Sequence, residues 1–222
     1  MVQFALFERH ALAETLRCAD PHAPTLSGNW TVAQLTAHLV LRERSIVELL
    51  GRLPSRRLHR VAQREIDDLV AREPYQRLVD AVDAGPSWRD VRWPVPTSFV
   101  WSLPAVRERA NLLEYLVHHE DVRRAAAGWA PRSLPDEMQR EVWQRLPWST
   151  RLTMRTVPLR IALVWPEHGE VRAGRGATVA VRVTGDPVEL TLFAFGRREV
   201  ARVDCTGAPA DVARVLGSAM GL

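Results

Sequence analysis

The sequence predicts a mainly α protein in two parts: a four-helix bundle over residues 1–150 and a small α+β domain over residues 151–222. Three observations carry this expectation. Up to about Arg151 apolar residues recur at spacings of three and four, the period of an amphipathic helix. Beyond it, VPLRIALVW, GEVRAG and TVAVRVTG alternate or run apolar and are rich in β-branched residues, as strands require. At 222 residues, 46% apolar and 25% charged, the chain has an ordinary globular composition and is long enough to bury roughly 70 to 75% of its unfolded surface.

The elements follow in order. FALFERHALAETLR has one apolar stripe and reads as the first helix. The second runs from Thr31 to Leu50. Thr31 and Gln34 form the S/T-x-x-E/Q capping box, and Trp30 ahead of the cap is placed to pack on Leu35 as a hydrophobic staple. That box fixes the direction of the helix, and with it His38, which stands on the face of Leu35, Leu39, Ile46 and Leu49. RRLHRVAQREIDDLVAREPYQRLVDAVDAG reads as one or two amphipathic helices closed by Gly85. A Pro- and Trp-containing connection follows, in which Trp93 and Trp101 are expected to serve packing, with a pocket wall as the alternative. The helix containing LLEYLVHHEDVRRA comes next and ends near Gly128. In the tail, DPVELTLFAFGRR offers an Asp-Pro start and helical spacing, ARVDCTG reads as a strand and APADVARVLGSAM as a closing helix.

Composition bounds the function. No signal-peptide layout and no membrane-length apolar run occurs, so a cytoplasmic location is expected. Cys18 and Cys205 are far apart and outside any C-x-x-C pattern, which indicates neither a disulfide framework nor a thiolate metal site. The net charge is +4 and the isoelectric point near 9.9, but the 30 basic residues, all arginine, are interleaved with 26 acidic ones. Such mixing gives solvated faces, not a phosphate-tracking stripe, so nucleic acid is not an expected partner.

One stretch carries chemistry. At 100° per residue Glu114 and His118 lie 40° apart, with Asn111 and Asp121 on the same stripe. A buried carboxylate without a partner costs several kcal/mol, and a divalent cation removes that cost. The E-x-x-x-H spacing brings an oxygen and a nitrogen to one point. His38 from another helix is the candidate third ligand, which makes a two-His, one-carboxylate set with a position left for water or substrate. The plain alternatives are a core histidine at His38 and a hydrogen-bonded i,i+4 pair at Glu114 and His118. His119, about 100° round from His118, is expected to face outward. Asp121 is a candidate to orient a ligand, or else a solvated ion pair with Arg123 and Arg124. His10, His22, His59 and His168 have no partners at suggestive spacing and take no role.

APTLSGNWTVAQLTAHLVLRE, NLLEYLVHHEDVRRAAAGW and GDPVELTLFAFGRR together resemble an actinobacterial family of DinB-like metal-binding proteins related to mycothiol-dependent maleylpyruvate isomerase. The resemblance implies a DinB-like bundle and a tail similar to a sterol carrier protein. It implies a metal, zinc first among the divalent ions, on the histidine of W-T-x-x-x-L-x-x-H-L and on E-x-x-x-H: His38, Glu114 and His118 here. It implies mycothiol as a thiol cosubstrate, activated as thiolate for attack on a small electrophile by a transferase or isomerase. Arg197 in FAFGRR matches the arginine of a W-x-W-G-R-like segment and is the candidate grip for a carboxylate, although Phe193 and Phe195 stand where the relatives have tryptophan. The alternative function is a non-catalytic, metal-stabilised carrier or sensor of a small apolar ligand or lipid. A monomer or homodimer without membrane partners is expected in either case.

Overall fold

A computed structural model describes residues 4–44, 56–85 and 104–221. It divides into two compact units, Met1–Ala130 and Pro131–Leu222. The first contains helices α1 (Phe4–Cys18), α2 (Val32–Arg44), α3 (Arg56–Arg72), α4 (Tyr75–Ala84) and α5 (Pro104–Arg123). The third expected helix is thus a pair. Pro74 caps α4 with an extended backbone, φ −57° and ψ 138°, and a residue so placed cannot continue α3. Residues 45–50, with Ile46 and Leu49, and the connection bearing Trp93 and Trp101 lie outside the described residues.

α1 packs along α5 and α4, and α2 packs on α3 and α4, which closes the bundle around Leu12, Leu16, Leu35, Leu39, Ile66, Leu112 and Leu116. Each of these fully buried side chains contributes on the order of 1.5–3 kcal/mol. The capping box forms as the sequence predicts: Thr31 N–H donates to Gln34 Oε1 at 3.0 Å and Gln34 N–H to Thr31 Oγ1 at 3.3 Å. Trp30 stands against the His38 ring, centroids 4.7 Å apart, and its indole N–H donates to Gln63 at 2.8 Å.

The second unit contains α6 (Asp136–Thr153), β1 (Arg160–Trp165), β2 (Gly169–Gly174), β3 (Val179–Thr184), α7 (Pro187–Ala194), β4 (Asp204–Gly207) and α8 (Pro209–Gly217). Its sheet has the order β2-β1-β3-β4, with β1 antiparallel to β2 and parallel to β3, and β3 antiparallel to β4. Period-two burial is clean in β3, where Val181 and Val183 are buried and Arg182 is exposed. The chain passes from β2 to β3 below the start of β1. Gly174 turns it there with φ +73°, and a Cβ at that position would stand 2.1 Å from Leu159 O, so no other residue fits without backbone movement. α7 is buried along its whole length, and its one charged residue, Glu189, accepts the Arg202 N–H at 2.7 Å.

The expected boundary after residue 150 therefore moves to Ala130/Pro131. α6 continues the helical period, but its stripe of Met138, Val142 and Leu146 is buried, and the helix packs on α7 and β2. The change of period at Arg151 marks a change of element type within one unit, while the break falls in the Gly128, Pro131, Pro135 stretch. The fold class is as expected: a mainly helical chain with a DinB-like bundle followed by a small α+β domain.

Candidate metal centre

The loop ahead of α2 sets the site's geometry. Pro24 and Thr31 pair across it, Gly28 turns it with φ +61°, and Leu26 N–H donates to the Asp121 carbonyl at 3.1 Å. α2 is thereby tied to the end of α5 before its first turn begins. His38 on α2 and Glu114 and His118 on α5 converge so that one ligand atom from each lies within 4.8 Å of the others. Both histidines are buried, and their rings meet edge to face with centroids 5.2 Å apart. His118 Nε2 is 3.6 Å from Glu114 Oε2. Two tetrahedral ligands at 2.1 Å from a shared ion stand about 3.4 Å apart, so this pair is already near that spacing, while the widest edge of the trio, at up to 4.8 Å, would have to close by about 1.4 Å for the three to share one ion.

The surroundings favour positive charge at this point. Asp121, with no exposed side-chain surface, lies 3.0 Å from His118 Nδ1 and orients the ring so that Nε2 faces Glu114. Burial acts to lower the His118 pKa, but the hydrogen bonds and charges of Asp121 and Glu114 outweigh it and hold the group above its usual value. A proton or a cation can supply that charge. Asp121 is thus placed to orient the His118 ring, and Arg123 and Arg124 both pair with Glu120.

Two further placements differ from or add to the sequence reading. His119 does not face outward. It is 3% exposed, with Nδ1 2.7 Å from Glu8 Oε1 and Nε2 2.8 Å from Thr15 Oγ1, both on α1. The wheel angle was sound, but α1 covers the face it points to. Spacing also does not single out Arg42, although it stands one turn beyond His38 on the same stripe of α2. Its Nη1 donates to Asn111 Oδ1 at 2.8 Å and its Nε lies 3.4 Å from Glu114 Oε2. An H-x-x-x-R spacing opposite an N-x-x-E spacing is the signal that finds it.

Arg197 lies in the second unit, after α7, and its Nη1 donates to Phe195 O at 2.7 Å. Phe193 is fully buried and Phe195 nearly so. His10 pairs with Asp83 on the surface, and His168 stacks on Trp165 with centroids 3.6 Å apart.

A helical bundle with a buried two-histidine, one-carboxylate cluster, followed by a small α+β unit, is the class that fold and site define. Residues 8–123 match the mycothiol maleylpyruvate isomerase N-terminal domain, and the chain belongs to that family. No curated protein sequence matches the chain significantly. Among solved structures, the chain is similar to the mycothiol-dependent maleylpyruvate isomerase, at 15% identity and a TM-score of 0.54, over 91% of this chain and 90% of that one. A mutant form of that isomerase gives a TM-score of 0.55 at the same identity and coverage.

Proposed function

We propose that this chain binds a divalent metal ion on His38, Glu114 and His118 and uses it in a mycothiol-dependent reaction, as a thiol transferase or isomerase acting on a small electrophile. The observation that carries the reading is the convergence of those three side chains from two helices into a buried cluster. The family match and the likeness to a mycothiol-dependent isomerase support the choice of thiol. Zinc suits a donor set of two imidazoles and a carboxylate with one position open. A bound ion of this kind would supply a Lewis acid that keeps a thiol ionised near neutral pH. The chain's own residues do the rest: Asp121 fixes the His118 tautomer, Trp30 covers the His38 ring, and Glu114 contributes the negative charge. Arg197 keeps its proposed role as the guanidinium that holds a carboxylate.

The test pairs metal analysis with thiol binding. Purified protein is expected to carry a divalent ion that His38→Ala and Glu114→Ala lose while the helical circular-dichroism signal is retained. Mycothiol is expected to bind the metal-loaded protein and to be released by chelator. Absence of mycothiol binding at millimolar concentration in both states would overturn the enzyme reading. Arg197→Ala is expected to keep the metal and lose turnover.

A further inference from the structure

We infer that Arg42 and Asn111 form an anion subsite beside the His38, Glu114, His118 cluster, and that Arg42 selects ligands carrying a carboxylate. The inference rests on the reading that the cluster takes a divalent cation, and it deepens that reading by naming a ligand class.

The position is built. Arg42 follows His38 by one helical turn, and its side chain is 12% exposed. Asn111 precedes Glu114 by three residues and accepts from Arg42 Nη1 at 2.8 Å, so a neutral amide, not a charge, aims the guanidinium. The other contact, Nε to Glu114 Oε2 at 3.4 Å, is longer than the 2.7–2.9 Å of a strong charge-assisted bond. Among the described residues, Nη2 makes no hydrogen bond. The guanidinium is therefore held through Nη1, and only loosely through Nε, so its Nε/Nη2 edge becomes a free two-donor fork once a cation takes Glu114 Oε2.

Charge gives the direction. Among the described contacts, Glu114 and Asp121 carry negative charge and Arg42 positive charge. A divalent ion adds two positive charges to this buried cluster, and an uncompensated charge there calls for a counterion. Glu114 Oε2 also faces both Arg42 and His118 Nε2, so a cation held there competes with Arg42 for the same oxygen. Arg42 thus opposes the cation alone and favours cation and anion together, a coupling that linkage makes reciprocal. A planar fork of N–H donors matches a carboxylate in particular.

The experiment uses the cobalt(II)-loaded protein and two small thiols, mercaptoacetate and 2-mercaptoethanol, followed by the visible absorption that thiolate ligation gives cobalt. Affinity for each thiol is measured in wild type and in Arg42→Ala, and the ratio of the two affinities is compared so that intrinsic thiol differences cancel. Loss of one buried charge-assisted contact lowers the preference for mercaptoacetate by about tenfold or more. Cobalt affinity itself rises several-fold in Arg42→Ala, and Arg42→Lys falls between the two. A residue that merely braces the helices would give the opposite pattern, weaker cobalt binding with an unchanged ratio, and that result overturns the inference. If wild type binds no cobalt, the metal reading and this one fail together. If it binds cobalt but the ratio is unmoved, only the Arg42 subsite fails.

Discussion

Two adjacent histidines on α5 each have a carboxylate as first neighbour, yet their surroundings differ. His118 Nδ1 lies against Asp121, and His119 Nδ1 against Glu8, at 3.0 and 2.7 Å. Both rings are buried. They differ at the other nitrogen. His119 Nε2 meets the Thr15 hydroxyl, which is placed to donate to it while Nδ1–H donates to Glu8, so donors and acceptors around that ring close on α1. His118 Nε2 faces a carboxylate and a second imidazole, an arrangement that a cation completes. A carboxylate-anchored buried histidine is therefore not by itself a site. What the far nitrogen faces decides between a structural pin and a candidate ligand.

The largest expected effect breaks the pin. Glu8→Ala leaves His119 buried beside a vacancy, and removal of one partner of a buried pair costs about 3–5 kcal/mol. Thermal and urea unfolding should show that loss, with metal stoichiometry unchanged at temperatures where the fold survives. A Glu8→Ala protein that stays stable but loses metal would merge the two roles and remove the contrast. Next in size is Asp121→Asn, which keeps the volume but not the charge behind His118. Loss of such an orienting partner weakens metal affinity about 10- to 100-fold. Competition with a chelator measures it, and unaltered affinity would show that Asp121 acts only on the fold. The third change acts through the backbone. Thr31→Ala removes one half of the capping box at the start of α2 and costs about 1 kcal/mol in urea unfolding. It should loosen the side of the cluster that His38 supplies and leave the Glu8–His119 pair intact.

Much of this contrast is legible in the sequence, and the residues show where legibility stops. Period and cap signals are local, so the capping box, the strands and even α7 fall where the sequence places them. The stripe of Glu114, His118 and Asp121 is also local, because 100° per residue needs no tertiary information. What lies opposite a face is not local. His119 takes the predicted direction, yet only the position of α1 makes that direction interior. Arg42 escapes notice because arginine on a helix is ordinary until Asn111 and Glu114 stand across from it. The unit boundary eludes the sequence because α6 has the same period whichever neighbour buries it.

A third histidine sharpens the comparison at its weak end. His10 also pairs through Nδ1 with a carboxylate, Asp83 of α4, but its side chain is 54% exposed. Asp83 takes a second partner in Arg17 Nη2 at 2.6 Å. The Arg17 hydrogen bond, then that of His10, holds the Asp83 carboxyl below its ordinary value against a small opposing effect of burial. A depressed carboxylate favours the folded state above its ordinary pKa, and this contribution is lost as the pH falls from there toward the folded value. Asp83→Asn should therefore flatten the acid side of the stability profile and leave the neutral region within about 1 kcal/mol of wild type, since exposed pairs are screened by water and salt. A loss at neutral pH as large as that of Glu8→Ala would mean that exposure does not grade these three pairs. The ordering of pin, ligand and surface pair would then need a cause other than burial.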